Sequence, residues 1–434
     1  MRILLVKPSW HLPGRMVRYA QSVRFPPLQL GIIAALSPGH DVSIADLAVG
    51  PLPLDQPWDL VAVTTTTFTS GRAFDIAAQC RQRGIPVVLG GVHASILPQE
   101  CLLHADAVAL GEAEYIWPTI LADAQAGRLS GIYESPRPTD LSDVPFPRRD
   151  LMNESSWFTS VEATRGCPNK CKYCYLPSVP WATHRTRPAE LVQEEIRRLK
   201  QRTFIFVDEN LLSDRAYALN LLKRIAPYKK SFLVQVPTNI SDDDELLDAL
   251  AEAGCFNVQV GFQSFNPRSL EVASVNHNRI SKYREFVRKL QRRNIVVSGF
   301  FVFGFDSDRP EVFDTTVDAI KRIGIDDANL FVVTPFPGTE FYAQYQREGR
   351  LLPGKVPEQF GWGHAIFQPK HMTPEELERG VQRTYDKLHP HFRKKLKWVL
   401  LRQLPRLVRN PSLALGIVRG NLRKVEVASH AHTT

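Results

Sequence analysis

Twice along this chain, short apolar runs alternate with segments of helical periodicity, and a stretch rich in proline and aspartate separates the two series. In residues 1–130 the pattern predicts strands at Arg2–Val6, Asp41–Asp46, Leu60–Thr65, Pro86–Gly90 and Ala107–Gly111. Helices are expected at Leu28–Leu36, Arg72–Gln82 and Glu114–Ala126. Short apolar strands separated by helices imply a parallel sheet covered on both faces, an α/β, doubly wound (Rossmann-like) domain. Residues 131–155, with Pro136, Pro138, Pro145 and Pro147, read as a linker.

Over 156–340 the alternation resumes, with strands predicted at Val161–Thr164, Phe204–Val207, Phe232–Pro237, Val258–Phe262, Val296–Phe303 and Leu330–Val333. Helices are predicted between them, among them Ala189–Gln201, Asp243–Ala253, Arg279–Arg292 and Glu311–Ile323. Six strand–helix units make a partial (β/α) barrel, since about eight are needed to close one. Residues 341–434 read as a helical carboxyl-terminal region. Ligands in both architectures bind beyond the carboxyl ends of the strands. In the first domain those ends carry Thr64-Thr65-Thr66-Thr67, Gly90-Gly91-Val92-His93 and Gly111-Glu112.

With 44% hydrophobic and 23% charged residues, and no apolar run near the roughly 20 residues of a membrane span, the composition is that of a soluble protein. The opening Met1–Pro8 reads as a strand and not as a signal peptide, which points to the cytoplasm. The net charge of +9 is concentrated: residues 391–434 hold ten Lys/Arg against the single acid Glu426, so the remainder is neutral overall. A basic isoelectric point is therefore no argument for nucleic acid as a partner.

Three of the six cysteines are crowded into Gly166-Cys167-Pro168-Asn169-Lys170-Cys171-Lys172-Tyr173-Cys174, directly after the first barrel strand. Three thiolates on one loop can wrap an iron–sulfur cube and leave one of its four irons open to an amino-acid-like ligand. Zinc is the rival, with His184 as a fourth ligand. The scattered Cys80, Cys101 and Cys255 do not form a disulfide framework.

The C-x3-C-x2-C spacing, with Tyr173 before the last cysteine, resembles the radical S-adenosylmethionine superfamily. That resemblance implies a [4Fe-4S] cluster on Cys167, Cys171 and Cys174, with S-adenosylmethionine on the open iron and an external electron donor of flavodoxin or ferredoxin type. Asp208-Glu209-Asn210 resembles the segment that contacts the amino group, which makes Asp208 a candidate. Val260-Gly261-Phe262-Gln263-Ser264 resembles the segment that approaches the ribose, with Gln263 where the family usually has Glu. Ser298 and Val302 fall where the family has further cofactor contacts.

A doubly wound domain ahead of such a barrel resembles the cobalamin-binding subgroup. Gly90, Gly91, His93, Gly111 and Glu112 fall in segments like its recurring ones, with Ala113 where Gly is common. The Asp-x-His-x-x-Gly motif that supplies a cobalt ligand elsewhere is absent; Lys7-Pro8-Ser9-Trp10-His11 stands there, with His11 as a loop residue. The resemblance therefore implies a lower cobalt face met by Thr65, Thr66, Thr67 and Phe68, with no histidine ligand. It also implies methyl transfer to an unactivated carbon through a deoxyadenosyl radical and methylcobalamin. Oxidative cyclisation or rearrangement, and a cobalamin sensor with a structural cluster, are the alternatives.

Phe301–Asp308, Pro335–Thr339 and Phe367–Leu377 resemble the branch that includes methylases of hopanoid lipids and of bacteriochlorophyll, so the expected substrate is a small molecule or lipid. Beyond Pro390, Leu396, Leu400, Leu404 and Leu407 recur at helical spacing among basic residues. Such a helix either packs on the barrel or lies on a membrane surface as a peripheral contact.

Overall fold

The computed structural model describes residues 1–9, 26–152, 158–356, 359–361 and 363–409. The first sheet holds β1 (Arg2–Lys7), β2 (Asp41–Asp46), β3 (Leu60–Thr64), β4 (Val87–Gly90), β5 (Ala107–Leu110) and β6 (Gly131–Glu134). All pairings are parallel, in the spatial order β2-β1-β3-β4-β5-β6. The alternation along β1 shows why. Leu4 and Val6 join one core with Ala73, Ile76 and Ala77 of α2 (Ser70–Gln82), whereas Ile3 and Leu5 join another with Leu30 and Ala34 of α1 (Leu28–Ala35). Both faces of the strand are buried, as parallel sheets require. Gly131–Glu134, which composition assigns to the linker, instead pairs with β5 and extends the domain by one strand. Cys80 and Cys101 are fully buried in the first of these cores.

The second sheet is also all parallel. Its strands follow chain order: β7 (Phe158–Val161), β10 (Thr203–Phe206), β11 (Ser231–Val236), β12 (Cys255–Gln263), β13 (Val296–Phe303) and β14 (Asp327–Val332). Sequential neighbours wrapped by helices make an open arc of the expected kind. Along β11 to β14, buried residues such as Phe232, Val234, Val258 and Val260 share one core with Leu250, Phe286 and Leu290 of the covering helices. The partly buried alternates, among them Leu233, Gln235, Gln259, Phe300 and Phe331, face the other, concave side.

The first barrel strand is the one that departs from expectation. It ends at Val161, and a separate two-residue strand, β8 (Thr164–Arg165), pairs antiparallel with β9 (Arg185–Thr186). Asp208 causes the break. Its carboxylate accepts from the N–H of Ala163 at 3.1 Å, from the N–H of Thr164, and from the Thr164 hydroxyl at 2.7 Å, in place of ladder partners. The described residues end in α13 (Pro374–Arg409), which packs along α11 (Val312–Ile323) and β14.

Candidate functional site

The cysteine loop is the excursion of the small β8–β9 hairpin, spanning residues 166–184. Gly166 makes the hairpin possible. Its φ is +82°, and a Cβ there would sit 2.4 Å from the carbonyl oxygens of both Ala182 and Thr183. The loop is pinned at several points. Cys167 N–H donates to Ala182 O at 3.3 Å, Lys172 N–H to Ala273 O at 3.1 Å, and Phe341 N–H to Lys172 O at 3.3 Å. Tyr173 packs against Phe305 and Phe341, with ring centroids 6.0 and 6.5 Å away.

Cys167, Cys171 and Cys174 are all half-buried and unpaired with one another. Burial pushes the Cys171 thiol up to about 12 and that of Cys174 to about 11, so a metal that binds them must displace their protons. Among the described residues no three Cys, His, Asp or Glu side chains converge on a point that a single ion could occupy. A zinc site of the three thiols with His184 is therefore not assembled. Three thiolates on one loop suit a cube, in which each takes its own iron.

The Asp208–Asn210 segment faces this loop, but with its roles redistributed. Asp208 is buried and committed to the backbone of β8, so it is not available to a ligand. Its exposed neighbour Glu209 accepts from Gly166 N–H at 3.1 Å and lines the cleft, and Asn210 Nδ2 lies 3.5 Å from Cys167 Sγ. The Oδ1 of Asn210 is buried with no hydrogen-bond partner among the described residues.

A cleft of about 330 Å³ runs between the carboxyl ends of the first sheet and the cysteine loop. Gly90, Gly91, Gly111 and Glu112 line one wall, and Gly166, Tyr175, Pro180 and Trp181 line the other. Its floor enters between the sheet and α1 through Leu30, Ile33, Val88 and Ala109. Gly91 has φ +96°, and a Cβ there would stand 2.7 Å from Thr65 O, so its conformation is set by the end of β3. Trp181 lines the cleft, and its indole N–H is buried with no partner among the described residues.

Charged groups join the two halves beside the cleft. Arg165 bonds Glu114 at 2.6 Å, Glu162 at 2.9 Å and Glu112 at 3.4 Å. Arg185 reaches Glu112 at 2.5 Å and the carbonyl of Thr139 at 2.7 Å. Its guanidinium and that of Arg165 offset the cost of burying Glu112 and hold its carboxyl below the usual range.

Residues 161–320 match the family model of the Radical SAM superfamily. The chain carries a radical SAM domain. Proteins with this domain work with a [4Fe-4S] cluster and S-adenosylmethionine, and this chain is a radical SAM enzyme. It is 29% identical over 366 residues to bacteriochlorophyllide d C-12(1)-methyltransferase of Chlorobaculum tepidum, covering 81% of this chain and 80% of that one. It is 26% identical over 345 residues to hopanoid C-2 methylase of Rhodopseudomonas palustris, covering 75% and 65%. Its fold is similar to that of the radical S-adenosylmethionine methyltransferase TsrM from Kitasatospora setae with cobalamin and [4Fe-4S] cluster bound. There the TM-score is 0.64 at 18% identity, covering 87% of this chain and 84% of that one.

Against the radical SAM expectations, the other candidates divide clearly. Gly90, Gly91, Gly111 and Glu112 stand at the cleft, and Tyr173 supports the cysteine loop from behind. Thr65, Thr66, Thr67 and Phe68 do not line the cleft. Thr66 and Thr69 cap a short helical turn, each bonded to the other. His93 is buried beside Thr67 at 3.3 Å and also stands off the cleft. Ser298 accepts from Asn257 Nδ2 at 3.0 Å, a bond within the barrel wall. Val302 is on the concave side of β13. Gln263 sits at a bulge with φ +64°, held by Asn278, which donates to the carbonyls of Gly261 and Phe262. His11 lies outside the described residues. Arg165, Arg185 and Trp181 have no motif to announce them; only the Arg-Gly before the first cysteine hints at one.

Proposed function

We propose that this chain is a cobalamin-dependent radical S-adenosylmethionine methyltransferase acting on an unactivated carbon of a lipid or tetrapyrrole-like scaffold. The observation that carries the reading is the cleft: two sets of strand ends, one lined by glycines and one bearing the cysteine loop, open into the same space. On this reading residues 1–134 are the cobalamin-binding unit, 156–340 the radical barrel and 341–434 a helical extension. When bound, the cluster and S-adenosylmethionine supply a carbon radical, and cobalamin supplies the methyl group.

The chain's own part is to hold and orient. Cys167, Cys171 and Cys174 would hold the cluster, with Asn210 beside the first sulfur. Glu209 is the carboxylate at hand for an amino group, a role that Asp208 cannot fill while bonded to β8. Gly90, Gly91, Gly111 and Trp181 would meet the corrinoid, and the apolar floor beside α1 would take a ring of its tail. The concave side of the barrel offers neutral amides and aromatic rings, Gln235, Gln259, Phe300 and Phe331, which suit an uncharged carbon skeleton. An external low-potential donor supplies the electron.

The test is anaerobic reconstitution with iron, sulfide and hydroxocobalamin, then reaction with S-adenosylmethionine, a reductant and polycyclic lipid or chlorin substrates. About four irons per chain are expected, with bound corrinoid, deoxyadenosine, S-adenosylhomocysteine and a product heavier by one CH2. Protein that stays free of corrinoid, or product that loses hydrogen and gains no carbon, would overturn the reading.

A further inference from the structure

The carboxyl-terminal helix has two faces with different fates. One docks on the barrel. Val399 and Gln403 are buried, Gln403 Nε2 donates to Asn294 O at 2.5 Å, and Lys395 bonds the carbonyl of Ile325 at 3.2 Å and Asp326 at 3.3 Å. These positions recur every four residues and define the inner stripe.

The opposite side is exposed, and it is not merely polar. Leu401, Leu404 and Val408 are 50, 53 and 74% exposed. At about 100° per residue they fall within one outward stripe, and Lys394 and Lys397, also exposed, precede them on the same stripe. The apolar set expected from sequence was different. Leu396, Leu400 and Leu407 are partly buried, and of that set only Leu404 stands out in solvent.

We propose that this outward stripe is a docking surface for an anionic lipid bilayer. Residues 391–409 carry seven basic residues and no acidic one, so the charge of this helix complements acidic headgroups. Three large apolar side chains on that basic face would enter the headgroup boundary, with Lys394 and Lys397 at phosphate level. The helix lies along the surface: no helix among the described residues is long and apolar enough to cross a membrane. The inner stripe keeps the barrel fixed to the helix, so docking sets the whole enzyme at the bilayer. The inference does not depend on the cofactor assignments.

Full-length protein is to be co-sedimented with vesicles of phosphatidylglycerol and phosphatidylcholine, and with phosphatidylcholine alone. Binding to the anionic vesicles is expected, falling with salt. Leu401→Glu/Leu404→Glu/Val408→Glu, at exposed positions, should weaken it on the order of a hundredfold. Lys394→Gln and Lys397→Gln should each cost about fivefold. A chain ending at residue 409 separates this stripe from the residues beyond it, and should retain binding. Absence of binding, or binding unchanged in the triple variant, would overturn the proposal. So would sedimentation velocity showing a dimer that the triple variant dissolves, since a second copy would then cover the stripe.

Discussion

Arg165, the residue two before the first cysteine, bonds Glu114 of the amino-terminal domain at 2.6 Å across the domain boundary. The same guanidinium also holds Glu162 and Glu112, so one cation serves three carboxylates in a largely enclosed setting. Breaking such a group from one side leaves the other charges buried and unmatched. Arg165→Met is expected to lower stability by about 3–5 kcal/mol, measured by urea unfolding. Arg165→Met/Glu114→Gln should recover part of that loss.

Gly166→Ala tests the hairpin. The added Cβ meets two carbonyl oxygens at 2.4 Å, and the positive φ is unfavourable to alanine. The variant should keep its far-ultraviolet circular dichroism and lose most of the iron and sulfide that the wild type takes up on reconstitution. Normal iron content would show that the loop tolerates an open hairpin.

Burial lowers the His93 pKa from 6.5 to about 4. Between those values the unfolded chain binds a proton that the folded chain refuses. Stability from this residue is therefore complete above about pH 6.5 and lost as pH falls toward 4, on the order of 3 kcal/mol in full. His93→Gln should flatten the acid limb of a stability–pH curve. An unchanged limb would show that His93 titrates normally.

Trp181 lines the cleft, and its indole N–H is buried without a partner among the described residues. A corrin placed there absorbs where tryptophan emits, so hydroxocobalamin should quench the protein's fluorescence. Trp181→Phe should remove a distinct part of that quenching. Quenching identical in the two proteins would place the corrinoid elsewhere.

How much of this was legible beforehand depended on the range of the interactions. The strands of both sheets announce themselves through local apolar runs, and the cysteine spacing through a local loop. What was misread depends on distant partners. Asp208 looked like a ligand contact because its segment has the right order, but its carboxylate is taken by residues 163 and 164. His93 and Thr67 look like strand-end ligands until they are found bonded to each other. Gly131–Glu134 carries too few apolar residues to be seen as a strand without β5 beside it. Arg165 and Arg185 gain meaning only when Glu112 and Glu114, some fifty and seventy residues earlier, are brought across to them.

The β8–β9 hairpin also ties the cysteine loop to distant parts of the chain. Its first strand is shaped by Asp208 and its second is tied to Glu112, while Lys172 and Cys167 answer to Ala273 and Asn210. The places of the three cysteines therefore rest on contacts that reach as far along the chain as Ala273 and Phe341. The geometry offered to a cluster is thus a property of both sheets together and not of the nine-residue cysteine segment alone.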